Sequence, residues 1–285
     1  MEMTAMIVSN HIKKTFLGNE VLSDITFHIN EGEIFGLLGP SGSGKTTLIK
    51  ILTGQLKPTS GQAMVLGDFP ENLMWHKRRE IGIMMDEFGL YERLSCYENL
   101  NVFAKLYNIS RHEIIHTLEL VGLAPFKKQS AYKLSKGMKS RLRLARTFLT
   151  NPKVMFLDEP TSGLDPATME EIHAMILERK KLGSTIFLTT HNMSEAQILC
   201  DNIALLNKGH IIETGVPREV CRKYNRLKQI SIHLTDGRDI VLPSTPESAT
   251  EIYEFISQGL LKTIHSSEPN LETVFLELTG EKLNV

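Results

Sequence analysis

The sequence predicts an α/β fold built on a largely parallel sheet, and three stretches predict it. The first is Ile34-Phe35-Gly36-Leu37-Leu38, an apolar run of strand length that feeds a glycine-rich turn and then a helix. The second is Val154-Met155-Phe156-Leu157, another apolar run, which ends on two carboxylates, Asp158 and Glu159. The third, residues 184–190, is rich in β-branched residues and ends on His191. Strands buried on both faces read as continuous apolar runs of this kind. Ligands of open α/β sheets gather beyond the carboxyl ends of such strands.

The totals fit that class. At 285 residues the chain has room for one large domain and a smaller one. The hydrophobic and charged fractions, 41% and 23%, are ordinary for a globular protein. A net charge of −1 gives no bulk electrostatic reason to expect nucleic acid as a partner. Cys96, Cys200 and Cys221 are scattered without a CxxC spacing, which argues against a disulfide frame or a thiolate metal site. Met1–Met6 lacks the basic flank and apolar run of a signal peptide. No apolar run approaches the ~20 residues of a membrane span. Any membrane role is therefore expected to come through a partner.

Taken in order, residues 5–36 alternate short apolar strands with turns and predict a small antiparallel sheet ahead of the core. Phe16 stands in the polar stretch Lys13-Lys14-Thr15-Phe16-Leu17-Gly18. Its ring either stacks on a base, a contact worth ~1–3 kcal/mol, or folds under the sheet edge. The local sequence leaves both open.

Gly39-Pro40-Ser41-Gly42-Ser43-Gly44-Lys45-Thr46-Thr47 then matches GxxxxGK[ST] between a strand and a helix, the arrangement of a P-loop. Gly39, Gly42 and Gly44 permit backbone conformations and close approach that a Cβ forbids. The loop's N–H groups and the helix N-terminus converge on an anion. Lys45 brings a positive charge to the outer phosphates, and the Thr46 hydroxyl is a ligand for Mg²⁺. This stretch predicts a nucleoside triphosphate site, and its helix is expected to carry apolar residues from Leu48 through Leu56.

After further strands at residues 63–66 and 79–85, residues 92–149 read as helical. Ser95-x-x-Glu98 and Ser110-x-x-Glu113 have the form of capping boxes. A helical insertion within an α/β core is a separate unit. It runs through Leu134-Ser135-Lys136-Gly137-Met138 into a basic helix, with Met138, Leu142, Ala145 and Leu149 on an apolar face. Ser135 and Gly137 at its start could receive an anion. Local chemistry alone favours a solvated charged face at Lys139, Arg141, Arg143 and Arg146.

Two adjacent acids at the end of a buried strand are costly unless a cation shares the site. Asp158 is placed to hold Mg²⁺, and Glu159 to orient and deprotonate an attacking water. In Thr161-Ser162-Gly163-Leu164-Asp165-Pro166, Asp165 suits a helix N-cap with Pro166 at the first helical position. His191, level with the other acids and bases, is a candidate for the γ-phosphate. A hairpin around Asn207-Lys208-Gly209 closes the core. Beyond it, a hairpin through Asp236-Gly237, a helix, a strand and a last helix predict a small α+β module.

The ordered set of P-loop, Leu134-Ser135-Lys136-Gly137-Met138, Phe156-Leu157-Asp158-Glu159-Pro160, Ser162-Gly163-Leu164-Asp165 and the strand-end His191 resembles an ABC-transporter ATP-binding subunit over residues 4–220. The stretch ending in Pro269-Asn270-Leu271-Glu272-Thr273-Val274-Phe275-Leu276 resembles the C-terminal extension of bacterial drug, antibiotic-peptide and sodium exporters. The resemblance implies a P-loop NTPase core with an N-terminal antiparallel β-subdomain and an inserted helical subdomain at about 92–150. A C-terminal α+β accessory domain would follow at 221–285. It further implies an ATPase acting with Mg²⁺, as a homodimer or with a paired ATPase subunit. Each ATP would lie between one P-loop and Ser135 and Gly137 of the other copy, which reverses the local reading of that loop. Phe16 matches the adenine-stacking position, Glu159 the general base, His191 the switch histidine and Asp165 the aspartate acting across the dimer.

Export would run through a separate polytopic membrane permease, with the chain cytoplasmic and peripheral on the inner face of the cell membrane. Two motifs depart from the family's pattern. Lys136 and Met138 replace the glycine and glutamine of LSGGQ. Asp86 occupies the Q-loop glutamine position, placing a carboxylate that accepts but does not donate beside Mg²⁺. A similar acidic replacement, usually Glu, is seen in exporters conferring immunity to peptide antibiotics. The alternative, a soluble non-transport ABC ATPase acting on the ribosome or nucleic acid, usually brings two ATPase cores or long coiled-coil insertions, and this chain has neither.

Overall fold

A computed structural model describes residues 5–85, 89–224, 228–266 and 269–280. The chain forms two compact units, Met1–Val216 and Pro217–Lys282.

The first unit begins with two long strands, β1 (Ala5–Phe16) and β2 (Asn19–Asn30), followed by β3 (Ile34–Leu38), α1 (Lys45–Leu52) and β4 (Ser60–Val65). A single helical turn, α2 (Trp75–Arg78), leads to β5 (Ile81–Met84). Three helices come next, α3 (Cys96–Tyr107), α4 (Arg111–Leu120) and α5 (Lys136–Phe148). Then β6 (Val154–Asp158), α6 (Pro166–Lys181), β7 (Thr185–Thr190), α7 (Met193–Leu199), β8 (Asn202–Asn207) and β9 (His210–Gly215) complete the unit.

β2, β1 and β4 make a three-stranded antiparallel sheet. The expected short strands are in fact two long ones, because register shifts along β1 and β2 absorb the breaks in their alternation. The core sheet has the order β5-β6-β7-β3-β8-β9, parallel throughout except for β9, which folds back on β8 as the Asn207-Lys208-Gly209 turn predicts. β3, β6 and β7 are buried at every position, as the apolar runs of β3 and β6 predict, while β7 buries three threonines beside Ile186, Phe187 and Leu188.

Four rings hold the two sheets face to face. Phe27 of β2 stacks on Phe35 of β3 with centroids 5.0 Å apart, Phe187 of β7 lies 5.9 Å from Phe27, and Phe156 of β6 lies 5.9 Å from Phe187.

Between β5 and β6 the chain is helical, as the capping boxes predict. Ser95 and Ser110 each accept a hydrogen bond from the backbone N–H of Glu98 and Glu113, whose carboxylates return to the serine N–H groups. Those bonds hold both carboxyls below the usual carboxylate range. The span is three helices joined by turns, because Asn108 and Gly122 take left-handed conformations that interrupt it.

The basic face of α5 departs from expectation. It is half-buried, with Lys139 paired to Glu92, Arg141 to Glu171, and the Arg146 guanidinium 5.2 Å from the Phe103 ring. Helix α1 is also shorter than expected and ends at Leu52, where the Thr53 hydroxyl donates to the Ile49 carbonyl.

The second unit contains α8 (Pro217–Lys223), β10 (Gln229–Leu234), β11 (Asp239–Pro243), α9 (Ser248–Ser257), β12 (Leu261–Ser266) and α10 (Leu271–Thr279). Its antiparallel sheet has the order β11-β10-β12 and turns at Asp236-Gly237 as predicted. Ile232, Leu234, Leu271, Val274 and Phe275 form its buried centre. Among the described residues, no helix is long and apolar enough to cross a membrane.

Candidate active site

The sheet order places β3 beside β7, and β7 beside β6, so the three sequence-predicted strand ends are neighbours. The loop after β3 leads into α1 with Gly44 as its N-cap at φ 114°. A Cβ on Gly44 would fall 2.6 Å from Leu22 Cδ2, and one on Gly39 would fall 2.2 Å from the Leu206 carbonyl. Only glycine fits either place, which keeps the loop pressed on its neighbours, with the Gly39 N–H donating to the Thr190 carbonyl and the Ser43 N–H to the Pro40 carbonyl.

Lys45 is buried, and its ammonium donates to the Gly39 carbonyl at 2.7 Å and the Pro40 carbonyl at 3.1 Å. It also lies 3.4 Å from Glu159 Oε1. The Thr46 hydroxyl donates to Asp158 Oδ2 at 3.0 Å, and the Thr189 hydroxyl donates to Asp158 Oδ1. Glu159 Oε2 shares a hydrogen bond with His191 Nδ1 at 2.7 Å. The backbone of Glu159 is left-handed at φ 49°, a conformation that costs on the order of 1–3 kcal/mol for a residue with a side chain. It is held there by its N–H donating to the Thr189 carbonyl and by its own carbonyl receiving the Ser162 N–H.

These groups line a cleft of about 390 Å³ walled by Val21, Ser41, Gly42, Gly44, Lys45, Thr46, Thr47, Asp158 and Glu159. That volume is of the size that takes a small molecule. Ser43 does not line the cleft; its Oγ is buried without a hydrogen bond, 2.9 Å from where a Cβ on Gly39 would stand.

Other predicted residues stand apart from the cleft. Phe16 is 43% exposed at the end of β1, with the Lys14 ammonium 4.8 Å from its ring. It pairs with Asn19, so one hairpin separates it from Val21 in the cleft wall. The ring is therefore partly exposed, with the Lys14 ammonium over it.

Ser135 caps α5 by accepting the Met138 N–H at 3.2 Å. Asp165 caps α6 by accepting from the Thr168 N–H at 3.0 Å and the Thr168 hydroxyl at 2.8 Å, bonds that hold its carboxyl below the usual range. A Cβ on Gly137 would fall 2.8 Å from Thr168 Cγ2, so the two caps share Thr168 as a neighbour. Both lie away from the Lys45 cleft of their own chain, since neither lines it. Asp86 falls outside the described residues.

Two residues of the site were not read from the sequence. Val21 reaches the cleft only because β2 packs against the loop, which no local pattern reveals. Thr189 orients Asp158, and since Thr185 and Thr190 are buried in the same strand, its hydroxyl carried no distinguishing signal in the sequence.

Residues 22–162 match the family model described as ABC transporter. A fluoroquinolones export ATP-binding protein of Mycobacterium tuberculosis is 38% identical over 90% of this chain and 87% of its own length. A bacitracin transport ATP-binding protein of Bacillus licheniformis is 33% identical over 96% of this chain and 90% of its own. Among solved structures, a dimeric post-hydrolysis state of an ATP-binding cassette bound to ADP and Pi superposes with a TM-score of 0.67. It is 26% identical and covers 74% of this chain and 98% of its own. With the nucleotide cleft built as above and the similarity extending over nearly the whole length, the chain belongs to the ABC transporter family as an ATP-binding, ATP-hydrolysing subunit.

Proposed function

We propose that this chain powers export of a drug-like or peptide-antibiotic substrate through separate membrane-spanning subunits. The observation that carries the catalytic part is the convergence of Lys45, Thr46, Asp158, Glu159 and His191 at the ends of β3, β6 and β7. The export part is supported by the names of the relatives, which handle fluoroquinolones and bacitracin. The ATPase domain comprises residues 4–220, with its helical subdomain at about 92–150, and residues 221–285 form an accessory domain.

In this reading the backbone N–H groups of Gly42, Gly44, Lys45, Thr46 and Thr47, whose residues line the cleft, and the Lys45 ammonium receive the phosphates. Phe16 covers the adenine from the hairpin beside Val21. The donor set at Thr46 Oγ1 and Asp158 Oδ2 is hard oxygen, which suits Mg²⁺, an ion that takes one or two protein oxygens and fills its octahedron with phosphate and water. Among the described residues no cage of three or more acids, histidines or cysteines exists, in keeping with so sparse a ligand set. Asp86 would add to that set. When bound, the ion supplies neutralisation of the charge that develops on the transferring phosphoryl group.

Glu159 accepts the proton of the attacking water. Its Oε1 is now 3.4 Å from the Lys45 ammonium and its Oε2 bonded to His191, so arrival of a phosphate at Lys45 frees one oxygen for the water while His191 keeps the other in place. Ser135, Gly137 and Asp165 meet the nucleotide of a second ATPase subunit, identical or paired, which is why they stand outside their own cleft. The protein works on the cytoplasmic face of the membrane, held there by its permease.

Purification of the tagged chain from membranes of its host tests this. Co-purification of a polytopic membrane protein, with ATP hydrolysis in the complex, is the expected result. Recovery with ribosomes or nucleic acid instead would overturn the transport reading.

A further inference from the structure

A second set of polar groups lies behind the catalytic pair and takes no part in the mechanism above. Thr161, two residues after Glu159, is buried, and its hydroxyl donates to Glu195 Oε1 at 2.6 Å. The same oxygen is 3.1 Å from His173 Nε2 on α6. The Glu195 side chain is wholly buried in the first turn of α7, the helix that begins two residues after His191. Its N–H donates to the Asn192 side chain at 3.1 Å, and Asn192 donates its own N–H to the Thr190 hydroxyl at 2.9 Å.

One carboxylate oxygen thus joins three segments. These are the turn that leaves Glu159, the helix that Asp165 starts, and the helix that follows His191. The other oxygen, Oε2, is buried and makes no hydrogen bond. An acid so placed is unfavourable for stability, since an apolar side chain of similar size would fill the space without an orphaned oxygen. Its use is therefore to be sought in geometry. Glu159 sits in a strained backbone conformation and must keep its carboxylate 2.7 Å from His191, although the two come from different strands. The Thr161–Glu195 bond ties together the chain just beyond each of them.

We propose that Glu195 is a positioning residue for ATP hydrolysis. Steadied by His173, it clamps the Thr161 turn to α7 and so fixes Glu159 against His191. This rests on the roles given above to Glu159 and His191. It acts through those residues and touches neither nucleotide nor water.

The test uses the full chain with whatever membrane partner it purifies with, and Thr161→Val as the mild variant, isosteric but lacking the donor. The expected result is a fall in kcat of roughly tenfold, the scale on which sub-ångström misplacement acts. The KM for ATP should stay unchanged, the urea midpoint should fall because a buried carboxylate loses a donor, and Thr161→Ser should restore kcat. Glu195→Gln, which keeps the shape but weakens acceptance from two donors, should lower kcat in the same way. In a His191→Ala background, Thr161→Val should add less than about a further twofold, because residues acting as a unit are non-additive. An undiminished kcat in Thr161→Val overturns the clamp, as does an equal loss in both backgrounds or a kcat loss that Thr161→Ser leaves uncorrected. If His191→Ala alone leaves kcat intact, the histidine's role fails, and the clamp then stands or falls on the Thr161→Val kcat through Glu159.

Discussion

Glu159 Oε2 and His191 Nδ1 lie 2.7 Å apart although β6 and β7 deliver them from opposite ends of α6, and Glu159 Oε1 is at the same time 3.4 Å from Lys45. The general base is therefore held between a histidine and the phosphate-binding lysine. Replacing the carboxylate by an amide keeps its shape and removes its basicity. Glu159→Gln should lower kcat by about 10²–10⁴-fold while ATP still binds. An ATP-dependent dimer should accumulate on a sizing column, and near-normal turnover would reject the assigned role.

Lys45 has two tasks that separate by substitution. Its ammonium already bridges the Gly39 and Pro40 carbonyls, so it shapes the loop as well as offering charge. Lys45→Ala should abolish ATP binding measured by titration, and unchanged affinity would undo the phosphate-site assignment. Gly44→Ala should have the same effect by a different route. The new methyl meets Leu22 Cδ2 at 2.6 Å in a backbone that side chains rarely adopt.

Phe16 has an exposed ring and no core to fill. Phe16→Ala should leave the thermal midpoint within a degree or two, since surface changes of this sort move stability by less than about 0.5 kcal/mol. It should weaken ATP binding by about 1–3 kcal/mol. A loss of stability with affinity intact would move the ring from ligand contact to structure.

Phe187 is different in kind, because it stacks on Phe27 of the other sheet and on its strand neighbour Phe35. Phe187→Ala should cost about 3–5 kcal/mol, read from the urea midpoint. A change below about 1 kcal/mol would mean that the stack is not what joins the sheets.

The Cys200 thiol is packed against β3, its sulfur 2.6 Å from where a Gly36 Cβ would stand. Burial first, and then the nearby Glu195 and Asp201 carboxylates, push its pKa far above the ordinary thiol range. A group whose acid form is favoured by folding keeps that contribution below its unfolded pKa and loses it as pH rises beyond. At about pH 8.5, where an unfolded cysteine is half thiolate, Cys200 should resist iodoacetamide until urea is added. Rapid labelling of the native protein at this position, identified by mass spectrometry, would contradict the packing.

The sequence alone placed the core strands and the groups at their ends. Fully buried strands advertise themselves as unbroken apolar runs, and phosphate chemistry restricts the loop to a few residue types at fixed spacing. What it could not reveal depends on distant segments meeting. Val21 enters the cleft from a strand whose own pattern speaks only of alternation. The basic face of α5 reads as solvated until Glu92, Phe103 and Glu171 are brought against it. The Thr161–His173–Glu195 cluster escaped notice because a polar residue on an amphipathic helix is ordinarily an exposed one. Only the packing of α6 against α7 turns this glutamate inward.

The order of strands in the core sheet also governs when the cleft can come into being. β3 carries the phosphate loop at its end, yet its partners are β7 and β8, with Ile34 paired to Ile186 and Phe35 to Asn202. A nascent chain emerging from its amino terminus has synthesised the glycine loop long before the two strands that pair with β3 exist. Such distant pairings are slow to close. Until translation passes Asn207, the cell holds a polypeptide whose phosphate loop rests on β2 alone, without the strands that flank β3.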